Sequence, residues 1–319
     1  MNFEPSAERG AALDQIMRER LADTLDYLFS EVGEPLGIDA AEARRLTANI
    51  RTKAQSPSLF GNYYELVLAV EYDDLDEARQ LASELLGHAE ASGTRVASIE
   101  ERASAETDRY RRLLIPEPEM AAQPDPDLLG RTLARTEAAF ELLDRGFPEM
   151  AAEIRALLRE VVIAAGPEDP KAPTFDGASS YQLWGAILLN ARGQTNVLDT
   201  AQALAHESGH NLLFGFCASE SLVENPDEEL FASPLRADPR PMDGVFHATY
   251  VVARMHQTLT RLLESGVLTN DQRDFALKDL EAHRRNFAVG DQVIREGAKL
   301  TPLGAEVLES ARAYMAVAA

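Results

Sequence analysis

Apolar residues recur at helical spacing through most of this 319-residue chain. In the first such stretch they run from Ala7 to about Val32, and Gly33 is suited to end the helix. Later stretches repeat the pattern, and one of them opens with a capping pattern, Thr269 followed by Gln272. Amphipathic helices of this kind bury their apolar stripes against one another. We therefore expect a mainly α fold.

Two segments interrupt the helical pattern. The stretch from Tyr181 to Asn190 is apolar and short, and it indicates a buried strand, so we expect a small β-sheet near the metal-binding helix described below. Four prolines fall between Pro116 and Pro126, where neither a helix nor a central strand continues. This predicts an N-terminal helical region at 1–115 and a second region at 127–319, which carries the motif described next. By contrast, the charged stretch from Arg95 to Leu114 predicts another helix.

Charge and cysteine usage narrow the possible partners. Asp and Glu number 53 against 31 Lys and Arg, which gives a net charge of −22. Such a surface repels phosphate backbones and anionic lipid, so we expect no nucleic-acid or membrane partner, whereas a cationic peptide fits. With neither a signal-peptide pattern nor a membrane-spanning apolar run, we expect a cytoplasmic protein. Cys217 is the only cysteine, so thiolates do not build a metal cluster. Nothing in the sequence indicates the oligomeric state.

The segment from His206 to His210 has the pattern His-Glu-x-x-His. In a helix, residues four apart point in nearly the same direction, so both imidazoles face one ion. Glu207 follows His206 about 100° around the helix. The flanking residues are apolar, which predicts a buried helix, and two histidines with a glutamate are costly there unless they bind something. The pattern predicts a metal site.

A metal site of this kind needs a third protein ligand, and His247 is the strongest candidate. It lies in an apolar helical stretch, and half of the six histidines fall between 206 and 247. Four carboxylates compete for the same position: Glu220, Glu224, Glu228 and Glu229. The remaining histidines have charged or polar neighbours and are expected at the surface: His88, His256 and His283.

Three arginines are candidates to bind an anionic co-substrate. Arg254 follows His247 by seven residues and so returns to the same helical face. Arg236 and Arg240 lie in the loop before that helix. The planar fork of a guanidinium binds a carboxylate through two parallel hydrogen bonds.

The motif alone leaves two chemistries open. In a zinc peptidase, Glu207 would be the general base that activates a metal-bound water. In a non-haem iron oxygenase, the metal keeps open positions for a 2-oxo acid and dioxygen. A third interpretation is a helical binding module without enzymatic activity that keeps a vestigial metal site.

The wider segment from Thr174 to Met255 resembles a family of His-Glu-x-x-His proteins that modify peptides in ribosomal natural-product pathways. The resemblance follows the order of these segments: Gly177–Ser180, Leu183–Gly185, His206–His210, Pro234–Arg236, Arg240–Pro241 and Gly244–Ala248. It implies an iron(II)- and 2-oxoglutarate-dependent dioxygenase, without the peptidase fold, that hydroxylates a side-chain β-carbon of a precursor peptide.

The resemblance also implies roles for individual residues. His206, His210 and His247 would be the iron ligands, a set that departs from the usual two histidines and one carboxylate. Glu207 would then lie beside the ligands or on the substrate side. The 2-oxoglutarate anchor would be Arg254, with Arg240 and Arg236 as the next candidates.

Overall fold

The computed structural model describes residues 2–88, 90–115, 117–169, 172 and 174–318. Across these residues the chain is 66% helical, with eleven α-helices, a four-stranded mixed sheet and a two-stranded sheet. The predicted mainly α fold with a small sheet is therefore confirmed. Within the same ranges, no helix is both long and apolar enough to cross a membrane.

The helices are α1 (Ala7–Leu36), α2 (Ala40–Thr52), α3 (Pro57–Glu71), α4 (Leu75–Leu86), α5 (Ser104–Leu114), α6 (Pro126–Gly146), α7 (Pro148–Leu157), α8 (Val197–Phe216), α9 (Met242–Glu264), α10 (Asn270–Gly297) and α11 (Pro302–Val317). The strands are β1 (Arg95–Ser98), β2 (Glu160–Ala164), β3 (Gly177–Ser179), β4 (Ala186–Asn190), β5 (Leu230–Phe231) and β6 (Arg240–Pro241).

The chain forms two compact units that interleave along the sequence. One comprises Met1–Ala7, Ala134–Ile154 and Gln194–Ala319, and the other comprises Glu8–Leu133 and Arg155–Gly193. These units do not coincide with the predicted N-terminal helical region 1–115 and the predicted motif-bearing region 127–319, and the two regions stay a prediction. Pro116, the first proline of the predicted boundary, lies outside the described residues.

The unit formed by Glu8–Leu133 and Arg155–Gly193 contains the four-stranded sheet. Its order is β1-β2-β4-β3, with β1, β2 and β4 parallel and β3 antiparallel to β4. The strand β4 is buried along its whole length, as its apolar sequence predicts. The predicted helix from Arg95 to Leu114 is wrong in its first part. Residues 95–98 pair with β2 as strand β1, and the helix α5 begins only at Ser104.

The other unit contains α8 to α11 and the two-stranded sheet β5–β6. The helix α8 begins with a capping box in which Asn196 and Asp199 exchange hydrogen bonds with each other's backbone. Gly209 lets α9 approach closely, because an added Cβ would lie 3.0 Å from Cγ1 of Val251. The sheet β5–β6 packs against α9. The close approach at Gly209 places α8 and α9 side by side.

The helices α9 and α10 pack antiparallel in a fixed register. Gly297 lies against Met242, and seven residues earlier Gly290 lies against Thr249. Each step of seven along α10 therefore matches a step of seven in the opposite direction along α9. The next step places His283 opposite His256.

Candidate metal centre

The first two predicted ligands lie on one face of α8. His206 and His210 are one turn apart, and their Nε2 atoms are 3.2 Å apart. Two nitrogens that bind one ion at about 2.1 Å lie roughly 3.0–3.4 Å from each other in octahedral or tetrahedral geometry. The pair therefore has the donor atoms and the spacing of a metal site.

His247 joins this pair from α9, but through a different nitrogen. Its Nδ1 lies 3.0 Å from Nδ1 of His210, the ring atom that does not face His206. The rings of His210 and His247 stack with their centroids 5.3 Å apart, and Phe214 packs against both rings. Among the described residues, no group of three or more His, Cys, Asp or Glu side chains is arranged to hold a metal ion. The assignment of His247 as third ligand stays a prediction.

Burial keeps all three imidazoles neutral near pH 7. It lowers the pKa of His210 to about 3 and that of His247 to about 4. It also lowers the pKa of His206 well below its ordinary value, with smaller contributions from His210 and His283. A neutral imidazole has one N–H and one lone pair, and the lone pair is what a metal binds. The chemistry of the donor set therefore fits a transition metal.

Two carboxylates lie beside the histidines. Glu207 is buried at 5% exposure, and its Oε1 lies 3.9 Å from Nε2 of His206. Asp243 lies one turn before His247 on α9, and its Oδ2 is 3.9 Å from Nε2 of His247. Asp243 was not among the predicted site residues, although its spacing from His247 indicates a shared helical face. A carboxylate on the far nitrogen of a ligating histidine commonly fixes the orientation of the ring.

Arg254 has the predicted helical face but not the predicted environment. Its stem packs near Gly209 on α8, whereas its guanidinium forms a buried ion pair with Glu153. The guanidinium also donates to the carbonyl of Phe3 at 3.3 Å and contacts Sδ of Met150 at 3.2 Å. Since these contacts bind the guanidinium within the protein, they favour a structural role over that of the 2-oxoglutarate anchor.

The other two candidate arginines precede α9 and share one carboxylate. Arg240 lies 2.8 Å from Asp238, and the more exposed Arg236 lies 3.5 Å from it. Arg240 is half-buried, and its Nε is buried without a hydrogen-bond partner. The carboxylates that competed with His247 are all exposed: Glu220, Glu224, Glu228 and Glu229.

The predicted surface positions of His256 and His283 are wrong, because both side chains are buried. His283 lies on the buried stripe of α10, formed by Ala276, Leu280, His283, Phe287, Gly290 and Ile294. This stripe has helical spacing and was therefore visible in the sequence. His283 influences the pKa of His206 and so belongs to the surroundings of the histidine cluster.

Comparison with known proteins adds no identification, because no protein-family model and no curated protein sequence matches this chain.

Proposed function

We propose that this chain is an iron(II)- and 2-oxoglutarate-dependent oxygenase that hydroxylates a side-chain β-carbon of a ribosomally made precursor peptide. The observation that supports it most is the half-buried pair of Nε2 atoms of His206 and His210, 3.2 Å apart. The order of the segments around the motif, which resembles the peptide-modifying family, favours iron over zinc chemistry.

In this proposal His206 and His210 would hold the metal through Nε2, and His247 would be the third ligand. Iron(II) held there with open positions would supply the oxidising chemistry, with dioxygen and a 2-oxo acid as co-substrates. The protein contributes three neutral imidazoles, of which His210 and His247 lie beside the apolar ring of Phe214. Excluding water from such a site limits side reactions of the metal.

For the anchor of the 2-oxo acid we now favour Arg240 over Arg254. Arg240 is half-buried and forms an ion pair with the exposed Asp238, whereas Arg254 is held by the buried Glu153. Arg240 also immediately precedes α9, which carries His247. A dianionic ligand would compete with Asp238 for the guanidinium.

The acidic surface supports a peptide substrate. A net charge of −22 attracts cationic segments and repels nucleic acid and anionic membranes. We therefore propose a basic precursor peptide as the partner and the cytoplasm as the location. Neither a nucleic-acid nor a membrane partner is part of the proposal.

A zinc-dependent peptidase is the second candidate, because Glu207 is buried beside His206, as a general base would be. Changing Glu207 to Gln separates the two functions. The change abolishes a peptidase, whereas a hydroxylase keeps part of its activity. Complete loss in this variant, together with metal-dependent peptide cleavage by the wild type, would establish the peptidase.

The test of the proposal is reconstitution with iron(II) without oxygen, followed by addition of 2-oxoglutarate. We expect a weak visible charge-transfer band that appears with 2-oxoglutarate and is lost in the His247→Ala variant. His256→Ala is the matched control, since His256 is also buried on α9 but its Nδ1 lies 2.8 Å from the hydroxyl of Tyr314 on α11, and this variant should keep the band. Absence of the band, with zinc retained through purification, would favour the peptidase.

A further inference from the structure

A buried chain of polar side chains connects α10 to the metal-binding face of α8. Nε2 of His283 lies 2.6 Å from Oε1 of Gln202, and Nε2 of Gln202 lies 3.0 Å from Oδ2 of Asp279. Gln202 is one turn before His206 on α8, so the two side chains share a helical face. On α10, Asp279 is one turn before His283. These hydrogen bonds therefore join α10 to the residue of α8 that is one turn before the first predicted ligand.

The direction of these hydrogen bonds determines which nitrogen of His283 carries its proton. An ionised carboxylate only accepts, so the amide nitrogen of Gln202 donates to Asp279 and its oxygen is left to accept. Nε2 of His283 must then carry the proton and donate to that oxygen. Burial lowers the pKa of His283 to about 4, so the ring has one proton near pH 7. Its Nδ1 is therefore a bare acceptor.

This acceptor is buried without a hydrogen-bond partner. His283 is 8% exposed, and its Nδ1 has no partner in the described part of the chain. A buried acceptor that makes no hydrogen bond is uncommon and calls for a donor. Gln202, which holds the other nitrogen of this ring, is one turn before His206, so the next side chain on that face of α8 is the predicted ligand His206.

We propose that His283 positions His206 for metal binding by accepting the Nδ1 proton of His206 when its Nε2 binds the metal. In the observed arrangement Nε2 of His206 faces Nε2 of His210, and one of these two nitrogens carries the proton that lies between them. A metal held at Nε2 of His206 would require the proton of the neutral ring to lie on Nδ1. Ligating histidines almost always donate the N–H of their second nitrogen to an acceptor. Nδ1 of His283, oriented by the hydrogen bonds through Gln202 to Asp279, is such an acceptor. This inference rests on the proposed metal site.

Two variants at one position separate this role from a merely structural one. In His283→Asn the amide oxygen takes the place of Nδ1, so the acceptor is kept while the bond to Gln202 is lost. In His283→Gln the amide takes the place of Nε2, so the bond to Gln202 is kept while the acceptor is lost. His283→Ala removes both.

The measurement is the affinity of the full chain for cobalt(II), by calorimetry and by the visible spectrum of the bound ion. We expect His283→Asn to bind within about threefold of the wild type, and His283→Gln and His283→Ala to bind about 10- to 100-fold more weakly. Asp279→Asn releases the orientation of Gln202 and should weaken binding by a smaller factor. His256→Ala, at the position opposite His283, should lower stability and leave the cobalt(II) affinity unchanged.

The outcomes distinguish the positioning role from the metal site itself. Tight cobalt(II) binding by the wild type with equal affinity in all three His283 variants would overturn the positioning role and keep the proposed function. The reverse order, with His283→Gln near wild type and His283→Asn weak, would show that only the bond to Gln202 matters. No cobalt(II) or iron(II) binding by the wild type would overturn both proposals.

Discussion

Replacing Glu153 by Gln tests whether Arg254 is a structural residue or a ligand-binding one. Both side chains are 1% exposed, and the guanidinium of Arg254 pairs with Oε1 of Glu153. Gln keeps the size of the side chain and one acceptor oxygen but removes its negative charge. The variant therefore leaves a buried guanidinium that still contacts the carbonyl of Phe3 and the sulfur of Met150 but has lost its counter-charge.

The expected cost is set by the loss of a buried counter-charge. Removing one partner of a buried ion pair costs about 3–5 kcal/mol, because the other charge stays buried and uncompensated. The exposed pair of Arg261 and Glu4 provides a matched control in the same unit. Its atoms are 3.2 Å apart, and its side chains are 45% and 46% exposed. Glu4→Gln should cost less than about 1 kcal/mol.

Urea unfolding followed by circular dichroism measures both costs. Replacing Arg254 by Met in the Glu153→Gln background should recover much of the loss, because the uncompensated charge is then removed. The reasoning is refuted if Glu153→Gln costs no more than the exposed control. A stable Glu153→Gln variant with altered affinity for 2-oxoglutarate would instead return Arg254 to the role of anchor.

Three further predictions concern the helices that carry the site. Gly209→Ala would place a Cβ 3.0 Å from Cγ1 of Val251, so the double change Gly209→Ala with Val251→Ala should cost about 1 kcal/mol less in urea unfolding than the sum of the two single changes. Asn196→Ala removes the cap of α8 and should cost about 1 kcal/mol in the same assay, with an unchanged denaturant slope. Burial lowers the pKa of His256 from 6.5 to about 4, so between these values the unfolded chain binds the extra proton and stability falls as the pH falls. Compared with His256→Asn, the wild type should lose up to about 3 kcal/mol more from pH 7 to pH 4, and equal losses would contradict this origin.

Local patterns predicted a helix correctly where a periodic apolar stripe and a capping pattern occur in the same segment. The capping box of Thr269 and Gln272 begins α10 as expected, with both hydrogen bonds formed. Strand β1 was missed because its formation depends on a distant partner. The N–H of Arg95 donates to the carbonyl of Arg159 at 2.8 Å, and residues this far apart leave no local signal. The charged residues that follow gave the whole segment the appearance of one helix.

The site shows the same division between local and distant determinants. The spacing of His206 and His210 fixes their common direction, because the helix sets where each Cβ points. It also fixed the face of Arg254, whose stem lies near Gly209 as that argument implies. The position of the guanidinium at the end of this long side chain depends on its partner Glu153. That partner lies 101 residues away in the sequence, so no local pattern predicts the contact. His283 was predicted at the surface because its charged neighbours on α10 were given more weight than the periodic stripe to which it belongs.

A metal bound to Nε2 of His206 and His210 would break one of the two hydrogen bonds among the three histidines and keep the other. With one proton on each neutral ring, a consistent chain runs from Nε2 of His206 to Nε2 of His210, then from Nδ1 of His210 to Nδ1 of His247. The last proton then lies on Nε2 of His247, towards Asp243 at 3.9 Å. A metal on the two Nε2 atoms must displace the first hydrogen bond, but it leaves the second intact. His247 is therefore able to support His210 as an acceptor without binding the metal itself. Loss of the metal site in His247→Ala indicates a ligand, whereas binding weakened only about 10- to 100-fold indicates support of His210.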